Sequence, residues 1–287
     1  MVSKKKDRRA RLLSSTRPSF SKPTSSLSSR QTRSLVRTQH TMRKKLSNAL
    51  AKKDVTTATA LKEQIEASGG LKKYQEASMQ GQSEERGGDS SKVLMEWLYE
   101  RNITKVEKRL RLLEVGALKP DNACARSGLF DLERIDLHSR HSTIKEEDFM
   151  LRPIPTVEYR EVEGFDIVSL SLVINFEGDA RVRGKMLKRV KSFFRRPIII
   201  GGARMLYPTL FFVLPAPCVT NSRYLDESLL AAMMRSMGYV QIEKKMSAKL
   251  VYYLWSYDEE EGDIDWSFKK KEINPGKSRN NFAIILG

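Results

Sequence analysis

Two residues 20 positions apart have the types expected of a nucleotide-binding site. Gly116 follows an apolar run over residues 110–115, and Asp136 lies near the end of the next run, over residues 132–137. A glycine directly after a first strand lets the backbone approach a ligand, because no Cβ stands in the way. An acidic side chain about 20 residues later can accept hydrogen bonds from both hydroxyls of a ribose. The spacing therefore predicts a site for an adenosine-containing cofactor.

The cofactor is expected to lack a pyrophosphate. Residues 117–123 read ALKPDNA, so the later glycines of the fingerprint G-x-G-x-x-G are missing and a nicotinamide cofactor is disfavoured. S-adenosylmethionine carries no phosphate and needs fewer glycines. We predict Glu114 near its cationic methionine end, Asp148 at the adenine amino group and Phe149 over the adenine ring. Acids that follow strands are often simply solvated, and this alternative stays open for each of them.

The elements that must position these residues alternate between strands and helices. Apolar runs predict strands over residues 110–115, 132–137, 142–149, 165–170, 209–214, 250–255 and 282–286. Helical spacing covers residues 92–101, 181–194 and 226–237. Strands separated by helices indicate an α/β fold with a mostly parallel, seven-stranded sheet and helices on both faces. In such a sheet ligands bind beyond the carboxyl ends of the strands, where the residues above are placed.

Several runs at these strands resemble class I S-adenosylmethionine-dependent methyltransferases: LEVGAL at 113–118, RIDL at 134–137, EDFM at 147–150 and FDIVSLSLVINF at 165–176. Two further runs, GGLKKYQEAS at 69–78 and LPAPCVTNSRY at 214–224, are similar to a narrower group. That group is the fungal nucleolar family that methylates ring nitrogen 1 of an adenine in large-subunit ribosomal RNA. The resemblance covers roughly residues 65–257. Residues 194–207 are interpreted as an insertion, and residues beyond 257 match weakly.

The resemblance implies a Rossmann-like methyltransferase domain over residues 91–287 that binds S-adenosyl-L-methionine, with Gly116 and Asp136 as cofactor-binding residues. It also implies ribosomal RNA, within a pre-ribosomal particle, as the substrate, and ribosome biogenesis in the nucleus and nucleolus as the setting. We expect a monomer without a metal ion. A relative in animals resembles a non-catalytic S-adenosylmethionine sensor that regulates a protein kinase complex, which is the alternative function. A small-molecule methyltransferase is a third, and the basic N-terminus disfavours both.

Methylation of adenine nitrogen 1 depends on positioning, because the attacking lone pair is unprotonated at neutral pH and needs no strong base. Candidate residues follow the fourth and fifth strands. The amides of Asn175 and Asn221 are suited to bind the exocyclic amine, and Tyr224 is suited to stack on a base that has been opened or flipped. Asn175 fits a turn or helix cap equally well, and the neighbouring Phe176 fits a core position. No catalytic group is assigned beyond these candidates.

The chain has 287 residues and a formal charge of +17, most of which lies in its first 50 residues. Residues 1–50 contain 14 Lys and Arg against one acid, whereas residues 91–287 are close to balanced. Residues 1–40 are predicted to form a disordered basic tail, in which KKKDRR at 4–9 is typical of a nuclear or nucleolar address. The tail can contact RNA phosphates, although a merely solubilising role stays open. Residues 41–90 predict a helical extension and linker, with the helices ended by Gly69-Gly70.

Other residue types exclude several classes of protein. The two cysteines form no C-x-x-C, and His138 and His141 are interpreted as polar loop residues because no H-E-x-x-H surrounds them. No apolar run reaches the roughly 18 residues that span a bilayer, so a soluble intracellular protein is expected. Eight cations form a basic helix and loop, which suits either RNA phosphates or a solvated helix face: Arg181, Arg183, Lys185, Lys188, Arg189, Lys191, Arg195 and Arg196.

Overall fold

The computed structural model describes most of the chain after residue 88 and parts of the region before it. The described residues are 34–35, 38, 41–42, 45–46, 49–50, 52–69, 88–103, 108–139, 141–200, 204–206, 208–258 and 267–287. Residues 1–33 of the predicted tail, including the address cluster, lie outside them, whereas residues 34–35 and 38 are helical. The boundaries set at residues 40 and 90 stay predictions.

Helix α1, Val55–Ala67, belongs to the predicted extension. Asp54 caps it by accepting a hydrogen bond from an N–H of the first turn. Ala58 and Leu61 are three residues apart and therefore share a buried face, which forms a small cluster separate from the two larger cores. Gly69 follows the helix with a φ of 95°, a left-handed conformation that ends helices, as the Gly69-Gly70 pair predicts.

The remaining elements form the predicted domain. The helices are α2 Ser91–Glu100, α3 Ala123–Arg126, α4 Arg160–Glu163, α5 Ala180–Val190, α6 Pro217–Thr220 and α7 Glu227–Ser236, with a 3₁₀ turn over Lys191–Phe193. The strands are β1 Leu110–Val115, β2 Phe130–Asp136, β3 Lys145–Glu146, β4 Ile167–Ser171, β5 Ile198–Ile200, β6 Arg204–Leu206, β7 Thr209–Pro215, β8 Tyr239–Met246 and β9 Leu250–Tyr257. The helices predicted over residues 92–101, 181–194 and 226–237 and the strands predicted from 110–115 to 250–255 are confirmed, although their ends differ. The strand predicted over 142–149 is only the two residues of β3.

Seven of these strands form one sheet in the order β3-β2-β1-β4-β7-β9-β8. The first five in that order are parallel, and β9 and β8 add an antiparallel edge. The chain runs outward from β1 to β2 and β3, then returns to the other side of β1 with β4 and β7. This arrangement is a doubly wound α/β fold, and the predicted class is confirmed.

Two apolar cores cover opposite faces of the sheet, as shown by the interior strand β7. Phe211 and Val213 point to the core that contains α2, where Phe211 meets Trp97 edge-on with ring centroids 6.1 Å apart. Phe212 and Leu214 point to the other core, with α5 and α7. Successive side chains of a strand alternate between faces, so burial on both sides requires this continuous apolar sequence.

The prediction of a strand over residues 282–286 is wrong, and the seventh strand of the sheet is β8. Only one isolated antiparallel bridge, between Phe268 and Leu286, forms in that run. Its apolar residues are buried instead by packing on α5, where the carbonyl of Ile285 would lie 1.8 Å from a Cβ at Gly184. The sequence of β8 carries too little apolar character to be recognised, because it is an exposed edge with charged residues such as Lys244.

Residues 194–207, interpreted as an insertion, contain β5 and β6, which pair as an antiparallel hairpin outside the main sheet. Within the described ranges, no helix combines the length and the apolar character needed to cross a membrane.

Candidate functional site

The predicted site residues lie at or after the ends of strands that share one edge of the sheet. Because β1, β2, β3, β4 and β7 are parallel, their carboxyl ends lie along the same edge. The strand order reverses between β1 and β4, which open a crevice beyond their carboxyl ends. The loops after β1, β2 and β4 therefore converge where a ligand of a doubly wound sheet binds.

Gly116 stands at the centre of this edge. Its N–H donates to the carbonyl of Ile135 at 2.8 Å, which brings Gly116 beside Asp136 although 20 residues separate them. Gly116 has a φ of +75°, and a Cβ on it would lie 2.8 Å from Cγ2 of Val173 in the loop after β4. The position therefore requires glycine both for its backbone conformation and for the close approach of that loop.

Asp136 ends β2 with its carboxylate held by the following turn. Its Oδ1 accepts a hydrogen bond from the N–H of His138 at 2.9 Å. Its carbonyl accepts from the N–H of Glu147 at 2.9 Å, which ties the end of β2 to the loop after β3. The backbone of the turn after β2 therefore orients the Asp136 carboxylate at the edge.

Glu114 is buried on β1 between polar partners. Both of its oxygens accept hydrogen bonds from Nδ2 of Asn122, at 2.8 and 2.9 Å, and Nε of Arg134 lies 3.8 Å from Oε2. Burial raises the pKa of Glu114 to about 7, an effect that the Asn122 hydrogen bond and the Arg134 charge oppose and the Asp89 charge adds to. The Glu114 carboxyl is therefore poised to change its charge near neutral pH.

Asp89 and Ser90 also lie at this edge of the sheet, although the sequence pattern assigns them only to the linker within residues 41–90. Asp89 accepts from the N–H of Ser91 at 3.0 Å and from the N–H of Ala123 at 2.6 Å, and so ties the starts of α2 and α3 together. Ser90 Oγ lies 2.8 Å from Oγ of Ser171, at the end of β4. An acid and a serine directly before a helical pattern are a helix-start signal, which could have identified these positions.

The cavity runs from this linker to the loop after β1. Its lining residues are Asp89, Ser90, Glu114, Val115, Gly116, Leu118, Lys119, Asp121, Asn122, Arg126 and Ser171. The lining includes Glu114 and Gly116 but not Asp136, Asp148 or Phe149, which lie beyond β2 and β3. The structure thus brings Glu114, Gly116 and Asp136 to one edge. Asp148 and Phe149, the residues predicted to contact adenine, follow β3 and do not line the cavity.

Asp148 and Phe149 follow β3 but have structural partners. Oδ1 of Asp148 accepts from the N–H of Met150 at 2.7 Å, which closes a local turn. The ring of Phe149 is 3% exposed and packs on Phe193, with centroids 5.3 Å apart. Both residues serve the fold in this arrangement, and their contact with adenine stays a prediction.

The loop after β4 has two unusual features. Leu172 adopts a φ of +58°, a conformation that is rare for a residue with a branched side chain and that occurs at functional sites. Oδ1 of Asn175 is buried and accepts no hydrogen bond from any described residue. A buried acceptor without a donor costs stability, so this amide has the character of a group that a ligand satisfies.

Residues of the loop after β7 contact residues 270 and 280, near the C-terminus. Asn221 is exposed and follows α6, and its carbonyl accepts from the N–H of Asn280 at 2.9 Å. Tyr224 is half-buried, with Nζ of Lys270 4.2 Å from its ring centroid. No hydrogen bond or ring contact among the described residues joins Asn221 or Tyr224 to Asn175, and their part in base binding stays a prediction.

Six of the eight cations of the basic helix and loop fall into two groups, while Arg196 pairs with Glu161 at 3.6 Å. Arg183, Arg189 and Arg195 are used inside the fold, where their guanidinium groups donate to backbone carbonyls or to the buried Asp166. Arg181, Lys185 and Lys188 are exposed and lie on one face of α5, because they are four and three residues apart. The second group is available to a partner, whereas the first is structural.

The two described histidines, His138 and His141, show no metal-site arrangement. His141 hydrogen-bonds to Thr143 within an exposed loop, at 2.9 Å from Nδ1 to Oγ1. Over the described ranges, no group of three or more His, Cys, Asp and Glu side chains is arranged to hold a metal ion. Cys124 and Cys218 are both buried thiols, and burial raises the pKa of each.

Comparison with solved structures finds partial likenesses. An N-methyltransferase, NodS from Bradyrhizobium japonicum, crystallised with S-adenosyl-l-homocysteine, matches with 13% identity and a TM-score of 0.39, over 59% of this chain and 85% of NodS. An rRNA methylase from Escherichia coli matches with 12% identity and a TM-score of 0.41, over 79% of this chain and 100% of that one. The fold assignment rests on the strand order described above.

Curated relatives are much closer in sequence. A protein of Schizosaccharomyces pombe named 25S rRNA adenine-N(1) methyltransferase is 43% identical over 221 residues, covering 75% of this chain and 76% of its own length. A protein of Saccharomyces cerevisiae named 25S rRNA (adenine(2142)-N(1))-methyltransferase is 38% identical over 224 residues. That match covers 78% of this chain but 62% of the relative, so the chain spans less than two thirds of the second protein.

The family model described as "25S rRNA (adenine(2142)-N(1))-methyltransferase, Bmt2" matches residues 59–284. The match extends past residue 257, so the expectation that the C-terminal residues fit the family only weakly is corrected. It also includes the edge with Gly116 and Asp136, the loop with Asn175 and the hairpin of β5 and β6. The chain belongs to the Bmt2 family of 25S rRNA adenine-N(1)-methyltransferases.

Proposed function

We propose that this protein transfers a methyl group from S-adenosyl-L-methionine to ring nitrogen 1 of an adenine in large-subunit ribosomal RNA. The observation that carries the proposal is its membership in the family over residues 59–284, in which both curated relatives are named for this reaction. The geometry of the sheet edge supports it, because Gly116 and Asp136 are brought together by the hydrogen bond to Ile135.

The residues at this edge fit the cofactor. The absent Cβ of Gly116 leaves room beside the loop after β4, where any larger residue would meet Val173. Asp136 supplies the acidic acceptor that suits the two ribose hydroxyls. Burial raises the pKa of Glu114 to about 7, so its carboxyl can lose its proton and become negatively charged beside the cationic end of the ligand. S-adenosylmethionine, when bound, supplies a methyl group attached to a positively charged sulfur.

Substrate positioning falls to the loop after β4. The unpaired Oδ1 of Asn175 is an acceptor of the kind that an adenine amino group satisfies. Asn175 follows by two residues Val173, the residue of this loop that a Cβ on Gly116 would meet. Catalysis then consists of holding nitrogen 1 in line with the methyl group, since its lone pair needs no base. Asn221 and Tyr224 stay secondary candidates for the same task.

The setting of the reaction is also part of the proposal. The substrate is ribosomal RNA within a pre-ribosomal particle, the protein acts as a monomer, and it is directed to the nucleus and nucleolus by its basic N-terminus. Support for the location comes from the KKKDRR cluster at residues 4–9 and from the RNA substrate. A fluorescent fusion of the whole chain, compared with one in which that cluster is changed to alanines, tests the address.

No observation favours the alternative of a sensor for a protein kinase complex, since both curated relatives are named as methyltransferases. The deciding experiment is incubation of the purified chain with labelled S-adenosylmethionine and an unmodified transcript of large-subunit rRNA. Labelled RNA with a reverse-transcription stop at one adenine is expected, because a methyl group on nitrogen 1 blocks base pairing. Binding of the cofactor without labelling of naked RNA or of pre-ribosomal particles would refute the enzyme and favour the sensor.

A further inference from the structure

The last described residues, 267–287, form a segment that we call the C-terminal strap. It follows the sheet in the chain and lies against the loop after β7. The N–H of Asn280 donates to the carbonyl of Asn221 at 2.9 Å, and its Nδ2 donates to the carbonyl of Pro217 at 2.6 Å. Ser222, fully buried, donates from Oγ to the carbonyl of Phe282 at 2.6 Å. The strap is thus fixed beside the carboxyl end of β7.

Arg223 holds the turn of the strap. Its guanidinium donates to the carbonyl of Gly276 at 2.9 Å, to Oδ1 of Asn281 at 2.9 Å and to the carbonyl of Lys277 at 3.3 Å. Its carbonyl accepts from the N–H of Ile273 at 2.8 Å. One residue of the β7 loop therefore organises residues 273–281, which gives the strap a defined surface at the site edge.

That surface is basic, and its cations form no ion pairs with described acidic residues. The strap carries five cations, Lys269, Lys270, Lys271, Lys277 and Arg279, against one acid, Glu272. The four lysines are exposed, and none of the five cations forms an ion pair with an acidic residue of the described ranges. The lysines of β8 behave differently, since Lys244 pairs with Glu227 at 2.5 Å and Lys245 with Glu96 at 2.7 Å.

An aromatic ring accompanies these charges. Lys270 lies over the half-buried ring of Tyr224, with Nζ 4.2 Å from the centroid. Surfaces that bind single-stranded nucleic acid combine cations along the backbone with aromatic rings for the bases. The strap contributes none of the large exposed apolar side chains that insertion into a membrane surface needs. Charge and aromatic content together favour RNA over a lipid surface.

We propose that the C-terminal strap is an RNA-binding surface that contacts the phosphates flanking the target adenine. The inference rests on the proposed function and adds to it the place where the substrate backbone lies. The strap is fixed to the β7 loop, so RNA bound to it is held beside the edge that contains Gly116 and Asn175. Lys269 and Lys271 contact phosphates, and Lys270 orders the Tyr224 ring.

The test compares two double variants that change the net charge equally. Lys269→Glu/Lys271→Glu alters the strap and leaves Lys270 in place. Lys108→Glu/Arg109→Glu alters two exposed cations that precede β1, at the opposite edge of the sheet. The probe is a fluorescent fragment of large-subunit rRNA, with binding measured over a series of salt concentrations in the full-length protein.

The strap variant is expected to bind the fragment at least about 10-fold more weakly than the control, with the slope of log affinity against log salt reduced by about 1 to 2. Its affinity for S-adenosylmethionine and its melting temperature should match the control, and its KM for RNA should rise while kcat is retained. Equal RNA affinity in the two variants would overturn the inference.

Two further outcomes separate the inference from the proposed function. RNA binding does not require turnover. If the wild type methylates no RNA, that result counts against the proposed reaction alone, and the comparison of the two variants still decides the role of the strap. Vesicles containing phosphatidylserine serve as the second probe. Loss of vesicle binding in the strap variant, with RNA binding unchanged, would overturn the inference in favour of a membrane surface.

Discussion

The guanidinium of Arg183 donates to the carbonyl of Ala283 at 2.7 Å, across 100 residues of sequence. The same group donates to the carbonyl of Glu177 from Nε at 2.9 Å and from a terminal nitrogen at 2.6 Å. Glu177 belongs to the loop after β4, and Ala283 belongs to the C-terminal strap. One buried arginine therefore couples the loop that contains Asn175 to the end of the chain.

Replacement of Arg183 should uncouple these segments. In Arg183→Lys, a single ammonium cannot reach both carbonyls, so the free energy of unfolding should fall by about 2 kcal/mol, within the range for a lost buried hydrogen-bond network. The kcat should fall more than the affinity for S-adenosylmethionine, because the loop after β4 shifts. Arg181→Lys, on the exposed side of the same helix, is the control in urea titrations and kinetics. Wild-type kcat in a folded Arg183→Lys protein would contradict the prediction.

Gly116 should be the glycine that cofactor binding requires. Gly116→Ala and Gly128→Ala both place a Cβ on a residue with positive φ, at +75° and +69°, so each should lose about 1–2 kcal/mol of stability. Only at Gly116 does the Cβ meet a neighbour, Cγ2 of Val173 at 2.8 Å. Calorimetry should therefore show weakened binding of S-adenosylmethionine in Gly116→Ala alone. Equal affinities in the two variants would remove Gly116 from the site.

Asp136→Asn tests the ribose contact without disturbing the turn. The amide oxygen of asparagine can still accept from the N–H of His138, so stability should change little. Loss of the charge should weaken S-adenosylmethionine binding by roughly 10- to 100-fold, the equivalent of a charge-assisted hydrogen bond. The control is Asp131→Asn, at the exposed start of the same strand. Similar dissociation constants for both variants would contradict the assignment.

Glu114 should make stability depend on pH. Its pKa rises from 4.5 to about 7 on folding, so the folded chain keeps the proton over a range where the unfolded chain has released it. This contribution is complete below about pH 4.5, declines as pH rises and is lost above about pH 7, with an upper limit of about 3 kcal/mol. Glu114→Gln should abolish that part of the dependence. Urea titrations at about pH 5 and pH 8 check it, and parallel changes in both proteins would contradict it.

Asn175→Ala should separate activity from stability. Oδ1 of Asn175 accepts no hydrogen bond from a described residue, so its removal should cost less than about 0.5 kcal/mol, as for a group without internal partners. If it accepts the adenine amino proton, kcat should fall about 100-fold, as for loss of one preorganised polar group. Binding of S-adenosylmethionine should not change. Methylation assays with saturating RNA, together with melting curves, check these expectations, and unchanged kcat would exclude Asn175.

Local patterns were sufficient for the parallel strands of the sheet, and they predict Gly116 and Asp136 as site residues. β7 is buried on both faces and its sequence is almost continuously apolar, whereas polar residues interrupt the mainly buried strands β1 and β4. The spacing of Gly116 and Asp136 reflects two consecutive strands. β8 could not be recognised, because an exposed edge strand is mostly polar. The role of Asp89 is not visible in its local sequence, because its carboxylate binds the start of α3, which is 34 residues away in the chain.

Tertiary placement explains the remaining differences. Phe149 has the type expected of a residue that covers an adenine ring. Its burial against Phe193 depends on the 3₁₀ turn after α5, which is distant in the sequence. The raised pKa of Glu114 likewise comes from its surroundings, with desolvation as the largest cause. The apolar run at residues 282–286 resembles a strand, but its length and composition do not distinguish a strand from a segment packed on α5.

The position of the C-terminal strap in the chain sets the order in which the site is completed during synthesis. Residues 267–287 leave the ribosome after every strand of the sheet, and domains acquire structure as they emerge. A nascent chain that has reached β9 contains every strand that places Gly116 and Asp136, but Arg183 lacks Ala283 and Arg223 lacks the turn that it holds. The loops after β4 and β7 are therefore secured last, and a chain that stops before the strap lacks the contacts that fix both of them.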